Sequence, residues 1–272
     1  MPNRAILFDL DNTLLLEDEA TEEALRRTSE HAAVRTGAVG GPIHAAAREA
    51  AASLFAASPV FAYAEAMGIW WGEALWGGFA GDRTELAALR AFVPGFRREV
   101  WRRALLSVAV DDAALIEDLA ATFGAVRRAL RPIDPEAEAT VADLGRDHRL
   151  ALVTNGAPDV QREKLATTTL AAHFAAIVIS VELGIGKPDP RIFRAALDAI
   201  GVRPDAAVMV GDSLERDIDG AARAGLRAVW LDRGGGATTN GAIVPDARIG
   251  TLGALRSTLT ALERADPFPQ PA

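Results

Sequence analysis

Strands and helices alternate through the second half of this chain, and this pattern restricts the possible folds more than any other feature of the sequence. Apolar, strand-like runs are predicted at 150–154, 176–180, 207–210, 228–231 and 247–249. Helices are predicted around them, at 136–146, 160–167, 190–200, 217–224 and 252–264. Such alternation predicts a parallel sheet with helices on both faces, which is the doubly wound, three-layer architecture of the α/β class.

The chain begins with one more strand, because Ala5–Phe8 is a short apolar run of the kind that is buried on both faces of a parallel sheet. Residues 17–130 then show helical segments and no convincing alternating strand. Since the first strand must join the sheet, we expect a Rossmann-like core formed by 1–16 and 131–272, with an all-helical domain inserted at 17–130. Prolines in 131–135 make a stiff return segment.

The inserted block is predicted to contain helical segments at 20–35, 43–57, 61–79, 85–92, 97–109 and 113–129, the last capped by Asp111 or Asp112. Its tryptophans are interpreted as core packing, with the lining of a substrate pocket as the alternative. Its arginines at 97, 98, 102 and 103 are interpreted as a solvated basic face, which could also attract an anionic substrate. The four histidines share no metal-ligand spacing.

Composition excludes several classes of function. The formal net charge of −8 argues against a general binder of nucleic acid or anionic membranes. The chain has no cysteine, which excludes disulfides, zinc–thiolate sites and a cysteine nucleophile, and fits a cytoplasmic location. No signal peptide is expected, because Asp9 and Asp11 interrupt the N-terminal apolar run. We therefore expect no nucleic-acid or membrane partner, and a chain that acts as a monomer or homodimer.

Polar residues follow the predicted strands at their carboxyl ends, where open parallel sheets bind ligands. Asp9 and Asp11 follow the first strand and lie two residues apart, so both side chains point to the same side in an extended chain. Two such carboxylates repel each other unless a cation or a shared proton relieves them. The alternative is an acidic strand end in which Asp11 or Asn12 caps a turn. The later strands supply Thr154, Asn155 and Gly156; Gly186, Lys187 and Pro188; and Gly211, Asp212, Ser213 and Asp217.

Lysine is rare in this chain, since Lys164 and Lys187 are its lysines among 29 basic residues. Lys187 lies between Gly186 and Pro188 in a predicted loop, so it is interpreted as a functional residue. Lys164 lies on an amphipathic predicted helix, and its side chain is expected to be on the solvated face.

These strand-end residues resemble the four motifs of the haloacid dehalogenase superfamily of hydrolases. Residues 8–13 match F-D-x-D-x-T, Thr154 matches the hydroxyl residue after the second strand, Lys187 and Pro188 match the lysine motif, and residues 211–217 match G-D-x(4)-D. The resemblance covers residues 4–16 and about 131–250. The stretches 154–156, 161–165 and 211–218 look most like the N-acylneuraminate phosphatase and nucleotidase branch.

The resemblance implies a role for each matching residue. Asp9 would be the nucleophile, and Asp11 would protonate the leaving oxygen and later take a proton from water. Mg²⁺ would be bound by Asp9, Asp212 and the backbone carbonyl of Asp11. Thr154, Asn155 through its backbone N–H, and Lys187 would bind the phosphoryl oxygens. The supporting residues would be Thr13, Gly211, Ser213 and Asp217, with Asp217 orienting Lys187 or a metal-bound water.

The expected function is Mg²⁺-dependent hydrolysis of a small phosphorylated metabolite through an aspartyl-phosphate, with a sugar phosphate favoured and the helical domain as a cap over the site. An acid at Asp11 favours a phosphatase over a dehalogenase, because a halide leaves without a proton. A 5′-nucleotidase or a phosphosugar mutase would use the same core. A non-catalytic scaffold that binds Mg²⁺ and phosphate is the alternative outside enzymes.

Overall fold

The computed structural model describes residues 4–234 and 243–265. The sequence also predicts a turn at 234–236, after the strand at 228–231, and a frayed tail at 267–272. The turn extends beyond the described residues, and the tail lies outside them. One parallel sheet has the strand order β3-β2-β1-β4-β5-β6. Its strands are β1 Ala5–Phe8, β2 Arg149–Thr154, β3 Ala176–Ile179, β4 Ala207–Gly211, β5 Arg227–Leu231 and β6 Ala247–Ile249. The predicted doubly wound α/β fold is confirmed.

Strand β1 lies in the middle of the sheet and pairs with β2 and β4, so that Phe8 aligns with Leu152 and Val210. Its alternate residues belong to two hydrophobic clusters, with Ile6 and Phe8 in one and Ala5 and Leu7 in the other. Burial on both faces explains why this strand is apolar throughout. The strand order reverses at β1, and this switch point is where such sheets bind ligands.

The helices mostly follow the sequence pattern, with shifted ends. They are α1 Glu17–Thr36, α2 Gly40–Ala56, α3 Phe61–Met67, α4 Trp71–Ala74, α5 Thr84–Leu106, α6 Ala113–Ala129, α7 Ala137–Leu144, α8 Pro158–Ala166, α9 Ser180–Leu183, α10 Pro190–Ile200, α11 Gly220–Ala224 and α12 Leu255–Ala265. The segment predicted as one helix at 217–224 is a π-helix, Leu214–Asp219, followed by α11.

The prediction of two helices at 85–92 and 97–109 is wrong, because α5 continues through Pro94. A stripe of buried residues, Leu89, Val93, Phe96 and Val100, runs along one side of α5. Pro94 lies on the exposed side, where solvent can bind the carbonyl that loses its N–H partner. The apolar stripe therefore outweighs the local helix-breaking residue.

Contacts between residues divide the chain into two compact units. The core unit contains the residues up to Leu16, Ile133–Gly156 and the residues from Gln161 onward. The helical unit contains Glu17–Pro132 together with Ala157–Val160. The sequence-based division put the second border at 130/131 and kept 157–160 with the core. As a division into functional domains, it stays a prediction.

The helical unit has an interior of its own, in which α1 packs on α2 and α6, and α5 packs on α2 and α6. Trp101 and Phe123 are buried there with ring centroids 6.3 Å apart, and Trp76 is also buried. Asp112 caps α6 by accepting hydrogen bonds from the N–H groups of residues 114 and 115. The packing interpretation is thus confirmed for Trp76 and Trp101, and so is the Asp112 cap.

Arg97 differs from its prediction as a solvated residue. It is partly buried in the helical unit and donates hydrogen bonds to the carbonyls of Ala74 (2.9 Å) and Gly77 (2.6 Å). Burial, with a smaller contribution from Arg128, lowers the pKa of Arg97 to about 10.

No single helix in the described part of the chain has the length and apolar composition of a membrane span. Helices α2 and α3 meet that test only as a pair, across a 99° bend.

Candidate active site

The nucleophile candidate Asp9 lies directly after β1, and its N–H donates to the Val210 carbonyl (3.0 Å). The chain then turns, with Leu14 N–H donating to the Leu10 carbonyl (2.9 Å) and Asn12 in the left-handed region at φ 59°. This turn brings the buried Thr13 hydroxyl back to donate to Asp9 Oδ2 (2.9 Å). The motif from Asp9 to Thr13 is therefore a self-bonded turn, and one oxygen of Asp9 is fixed by the chain itself.

Lys187 joins the two buried carboxylates of Asp9 and Asp217. Its Nζ donates to Asp9 Oδ1 and to Asp217 Oδ1, the latter at 2.7 Å. Burial by itself lowers the pKa of a lysine, but Asp217 and Asp9 outweigh burial and raise the pKa of Lys187. The ammonium group is thus held charged and fixed in position beside the nucleophile candidate.

Asn155 fixes the backbone of Lys187. Its side chain accepts a hydrogen bond from Lys187 N–H (2.8 Å) and donates one to the Lys187 carbonyl (3.0 Å). An amide side chain matches one N–H and one C=O in this way. The end of β2 therefore determines where the lysine after β3 lies. Asn155 connects the predicted motif after β2 to the predicted lysine motif.

Strand β4 ends in residues that hold Asp217 and Asp212. A Cβ on Gly211 would lie 2.3 Å from the Asp217 carboxyl group, so only glycine fits there. Asp217 Oδ2 accepts a hydrogen bond from Ser213 N–H (3.0 Å), and the Asp212 carbonyl accepts one from Trp230 Nε1 (2.8 Å). The predicted supporting roles of Gly211 and Ser213 thus have a physical basis in the position of Asp217.

Three carboxylates meet at this edge of the sheet. Each of Asp9, Asp212 and Asp217 contributes one carboxylate oxygen, and these three oxygens lie within 4.8 Å of one another. Burial raises the pKa of Asp9 and of Asp212, and the negative charge of Asp217 raises both further. Such a set of buried oxygens fits a hard divalent cation. Both oxygens of Asp9 and both oxygens of Asp217 already accept hydrogen bonds, so Asp212, which is the least buried of the three, is the most open ligand candidate.

Asp11 has different neighbours from Asp9. Lys164 Nζ lies 2.9 Å from Asp11 Oδ1 and 3.0 Å from Oδ2, and Gln161 Nε2 donates to Oδ2 (2.9 Å). The prediction of Lys164 on a solvated face is wrong, because only 2% of its side chain is exposed. The helix has one buried and one exposed face, and the buried face includes this lysine because Asp11 lies opposite.

Gln161 connects Asp11 to the end of β2. Its Nε2 also donates to Thr154 Oγ1 (2.6 Å) and lies 3.1 Å from the Asn155 carbonyl. Gly156 has a φ of 138°, and a Cβ there would lie 2.9 Å from the Gln161 side chain. The glycine after Thr154 and Asn155 thus makes room for the glutamine that reaches both predicted motifs.

The structure brings all the predicted site residues to one edge of the sheet, and comparison with known proteins identifies the family. A family model described as haloacid dehalogenase-like hydrolase matches residues 3–225. The chain belongs to this family. The predicted family and the prediction of an enzyme are confirmed.

Two relatives of this hydrolase are phosphatases. Phosphoserine phosphatase of Thermus thermophilus is 42% identical over 250 residues, covering 92% of this chain and 96% of the relative. N-acylneuraminate-9-phosphatase of Rattus norvegicus is 32% identical over 170 residues, covering 61% of this chain and 68% of the relative. The resemblance to the N-acylneuraminate branch is thus supported, and the phosphoserine phosphatase matches more of the chain.

The fold comparison agrees with the family. The magnesium-bound HAD-hydrolase YfnB of Bacillus subtilis superimposes with a TM-score of 0.65 at 21% identity, covering 95% of this chain and 99% of that chain. At this identity the match shows a shared fold. The assignment of a phosphatase-type hydrolase therefore rests on the sequence relatives and on the site.

Sequence reasoning missed several residues that shape the site of this hydrolase. Gln161 and Trp230 carry no predicted role, and the sequence pattern predicts Lys164 on the solvated face. The rarity of lysine was a usable signal for Lys164, because both lysines of the chain lie against the carboxylates of one motif. Trp230 lies inside a buried strand, and no local pattern indicates that its N–H binds the Asp212 carbonyl.

Proposed function

We propose that this hydrolase is a Mg²⁺-dependent phosphomonoesterase that acts on a small phosphorylated metabolite through an aspartyl-phosphate on Asp9. The observation that carries the proposal is the different setting of two carboxylates at the end of β1. Asp9 is buried against Lys187 and Thr13, whereas the Asp11 side chain is 23% exposed beside Lys164. A buried, fixed carboxylate suits a nucleophile, and a carboxylate in reach of solvent suits proton transfer.

The reaction has two steps that use both carboxylates. An oxygen of Asp9 attacks phosphorus, the bond to the leaving oxygen breaks, and Asp11 gives that oxygen a proton. Water then attacks the phosphorus of the aspartyl-phosphate and gives a proton to Asp11. The bond between phosphorus and the Asp9 oxygen breaks, so inorganic phosphate leaves and the Asp9 carboxylate is regenerated. Lys187, the Thr154 hydroxyl and the N–H of Asn155 bind the phosphoryl oxygens during both steps.

Mg²⁺ is the cation that this site fits best. Asp9 and Asp212 would hold it, with the Asp11 carbonyl as a further ligand, because hard oxygen donors and open positions for water and substrate suit Mg²⁺. Its chemical contribution is to neutralise charge on the transferring phosphoryl group. Asp217 acts in another way, since its hydrogen bond to Lys187 orients the ammonium group.

The substrate class follows from the relatives together with the sequence. The relatives' names include phosphoserine phosphatase, N-acylneuraminate-9-phosphatase and glyceraldehyde 3-phosphate phosphatase. All three act on small phosphomonoesters with a primary alkyl oxygen as the leaving group. None of the three names is that of a nucleotidase, so we favour sugar phosphates and phosphoserine ahead of nucleoside monophosphates. The helical unit would act as the cap that selects among them, and a cytoplasmic location stays a prediction.

Phosphate release from a broad panel of phosphomonoesters tests the proposed function. We expect the wild-type protein to release phosphate in the presence of Mg²⁺ and to stop when EDTA is added. Asp9→Asn should abolish turnover on every substrate, because the nucleophile is lost. If the Asp9→Asn variant released phosphate at the wild-type rate, or if the wild type released none across the panel, the hydrolase proposal would be contradicted and the scaffold alternative favoured.

A mutase is separated from a phosphatase by the fate of the phosphoryl group. With a phosphosugar as substrate, the phosphatase transfers phosphate to water, so inorganic phosphate accumulates in step with loss of the sugar phosphate. A mutase instead returns the phosphoryl group to a sugar, and an isomeric phosphosugar appears without inorganic phosphate. ³¹P NMR of one reaction mixture distinguishes the two.

A further inference from the structure

Lys164 and Gln161 lie one turn apart on α8 and both contact the carboxylate of Asp11. Residues three apart share one face of a helix, and both side chains are buried while Arg162 between them is exposed. Together they bind both oxygens of Asp11 at distances of 2.9–3.0 Å. This arrangement fixes the plane of a carboxylate that is otherwise partly exposed.

Burial of Lys164 requires a reason. A lysine ammonium is expensive to remove from water, and it stays buried only when charged or polar groups compensate. Arginine is the usual basic residue of this chain, yet a lysine is present here. A compact ammonium can contact both oxygens of one carboxylate from one side, whereas a planar guanidinium needs more room.

A carboxylate has about four acceptor positions, and these contacts leave part of that capacity open. We propose that Lys164, with Gln161, is a positioning residue that orients Asp11 for proton transfer to the leaving oxygen. This inference rests on the proposed function, because it assigns the residues that make its acid effective. Lys164 acts through Asp11 and carries no reacting atom.

The role predicts a dependence on the leaving group. When Asp9 attacks an alkyl phosphomonoester, the P–O bond breaks and the alkoxide oxygen takes the proton of Asp11. When it attacks p-nitrophenyl phosphate, the P–O bond breaks in the same way but p-nitrophenolate leaves without a proton. Loss of correct Asp11 orientation should therefore slow the first substrate far more than the second.

The measured quantity must isolate formation of the aspartyl-phosphate. The value of kcat/KM covers the steps up to the first irreversible one, whereas kcat also includes attack by water, which needs Asp11 for every substrate. We therefore compare kcat/KM for the best alkyl phosphomonoester of the panel with kcat/KM for p-nitrophenyl phosphate, both in saturating Mg²⁺.

Lys164→Met should lower kcat/KM for the alkyl ester about 100-fold, the scale of a misplaced catalytic group. For p-nitrophenyl phosphate we expect a loss of less than about fivefold, because its leaving group needs no acid. Asp11→Asn should show the same selectivity with a larger difference, and Lys164→Arg should recover part of the alkyl activity. Inhibition by inorganic phosphate should be unchanged, since the phosphoryl site is intact.

Arg162→Met is the matched control on the same helix. Arg162 is exposed and pairs with Glu182 on the surface, so both kcat/KM values should remain at the wild-type level. If Lys164→Met does not fold, Lys164→Gln carries the same comparison with a polar, uncharged side chain.

Equal losses on the two substrates, or no loss on either, would overturn the positioning role while leaving the phosphatase proposal intact. A wild-type protein that hydrolyses neither substrate would instead overturn the proposed function, and the inference with it. If the wild type is active and Lys164→Met loses kcat/KM selectively for the alkyl ester, the result supports both the positioning role and the proposed phosphatase function.

Discussion

The core unit and the helical unit each bury a charged group against an opposite charge, but the two arrangements differ in construction. In the core unit, Lys187 is shared by Asp9, which directly follows β1, and Asp217, which lies in the π-helix after β4. In the helical unit, Glu17 and Arg127 form a buried pair, with the guanidinium 5.1 Å from the Trp76 ring centroid.

The surroundings of these charges explain the difference. Glu17 lies in the first turn of α1 and Arg127 in the last turn of α6, where each charge complements the dipole of its own helix. The pair therefore joins two helix ends and balances its own charge. In the core unit, an excess of carboxylates remains around one lysine. The carboxylates around Lys187 are in excess and can bind a cation, whereas Glu17 and Arg127 carry opposite charges.

Lys187→Met should have the largest effect, because it removes both a phosphoryl ligand and the counter-charge of two buried carboxylates. We expect activity to fall at least about 100- to 1,000-fold. The free energy of unfolding should fall by about 3–5 kcal/mol, since buried carboxylates lose their partner. Phosphate release and urea unfolding measure the two effects.

Arg191→Met is the control for Lys187, because its exposed pair with Asp189 contributes little to stability. Both measurements should match the wild type. Wild-type activity in Lys187→Met would show that the lysine contributes to the fold alone, and the contrast between the two units would disappear.

Arg127→Met tests the helical unit. The buried carboxylate of Glu17 would lose the guanidinium that binds its Oε2, and we expect the free energy of unfolding to fall by about 3–5 kcal/mol. The double variant Glu17→Gln with Arg127→Met should recover most of this loss, because neither charge is then left buried. A double variant as unstable as the single one would mean that packing of the arginine, and not its charge, stabilises the unit.

The comparison also shows which parts of the molecule could be predicted. Asp9, Asp212 and Lys187 follow strands, and the alternation of short apolar runs and helices was enough to place them at one edge of the sheet. A strand end is a local feature with a fixed position in the fold. The positions of these residues therefore followed from their place in the sequence.

Residues on helices were harder to predict, because burial there depends on what lies opposite. The pattern of α8 predicted the right helix and the wrong environment for Lys164, since only the fold places Asp11 beside it. The break expected near Pro94 failed for a related reason. The buried stripe of α5, with Val93 and Phe96 on either side of the proline, holds the helix together against a local signal.

Mg²⁺ binding should depend on pH in the core unit. Burial raises the pKa of Asp9 and Asp212, so both carboxyl groups hold a proton to a higher pH than usual. A cation binds only the deprotonated form, and its affinity must therefore be weaker at pH 6 than at pH 8, by about tenfold for one displaced proton. Isothermal titration calorimetry at the two pH values measures the difference.

Asp212→Asn is the control for this titration. It removes one ligand candidate and one of the raised groups, so both the affinity and its dependence on pH should decrease. The same affinity at pH 6 and pH 8 in the wild type would mean that the carboxylates are already ionised without the cation. The excess of negative charge in the core unit would then be stabilised in another way.

Gly95→Ala should have the smallest effect and the opposite sign. Gly95 lies within α5 of the helical unit, and apart from adjacent backbone of its own helix a Cβ there would meet no other group within 4 Å. Alanine restricts the unfolded chain and favours a helix, so the free energy of unfolding should rise by about 0.5–1 kcal/mol. Gly72→Ala is the contrasting variant in the same unit. The added Cβ would lie 2.5 Å from the Trp70 ring, so this substitution should destabilise the protein.

Phosphatase activity should not change with Gly95→Ala, because a gain in stability of α5 alters no group of the core site. If Gly95→Ala raises stability but lowers turnover, the helical unit must loosen along α5 during the reaction.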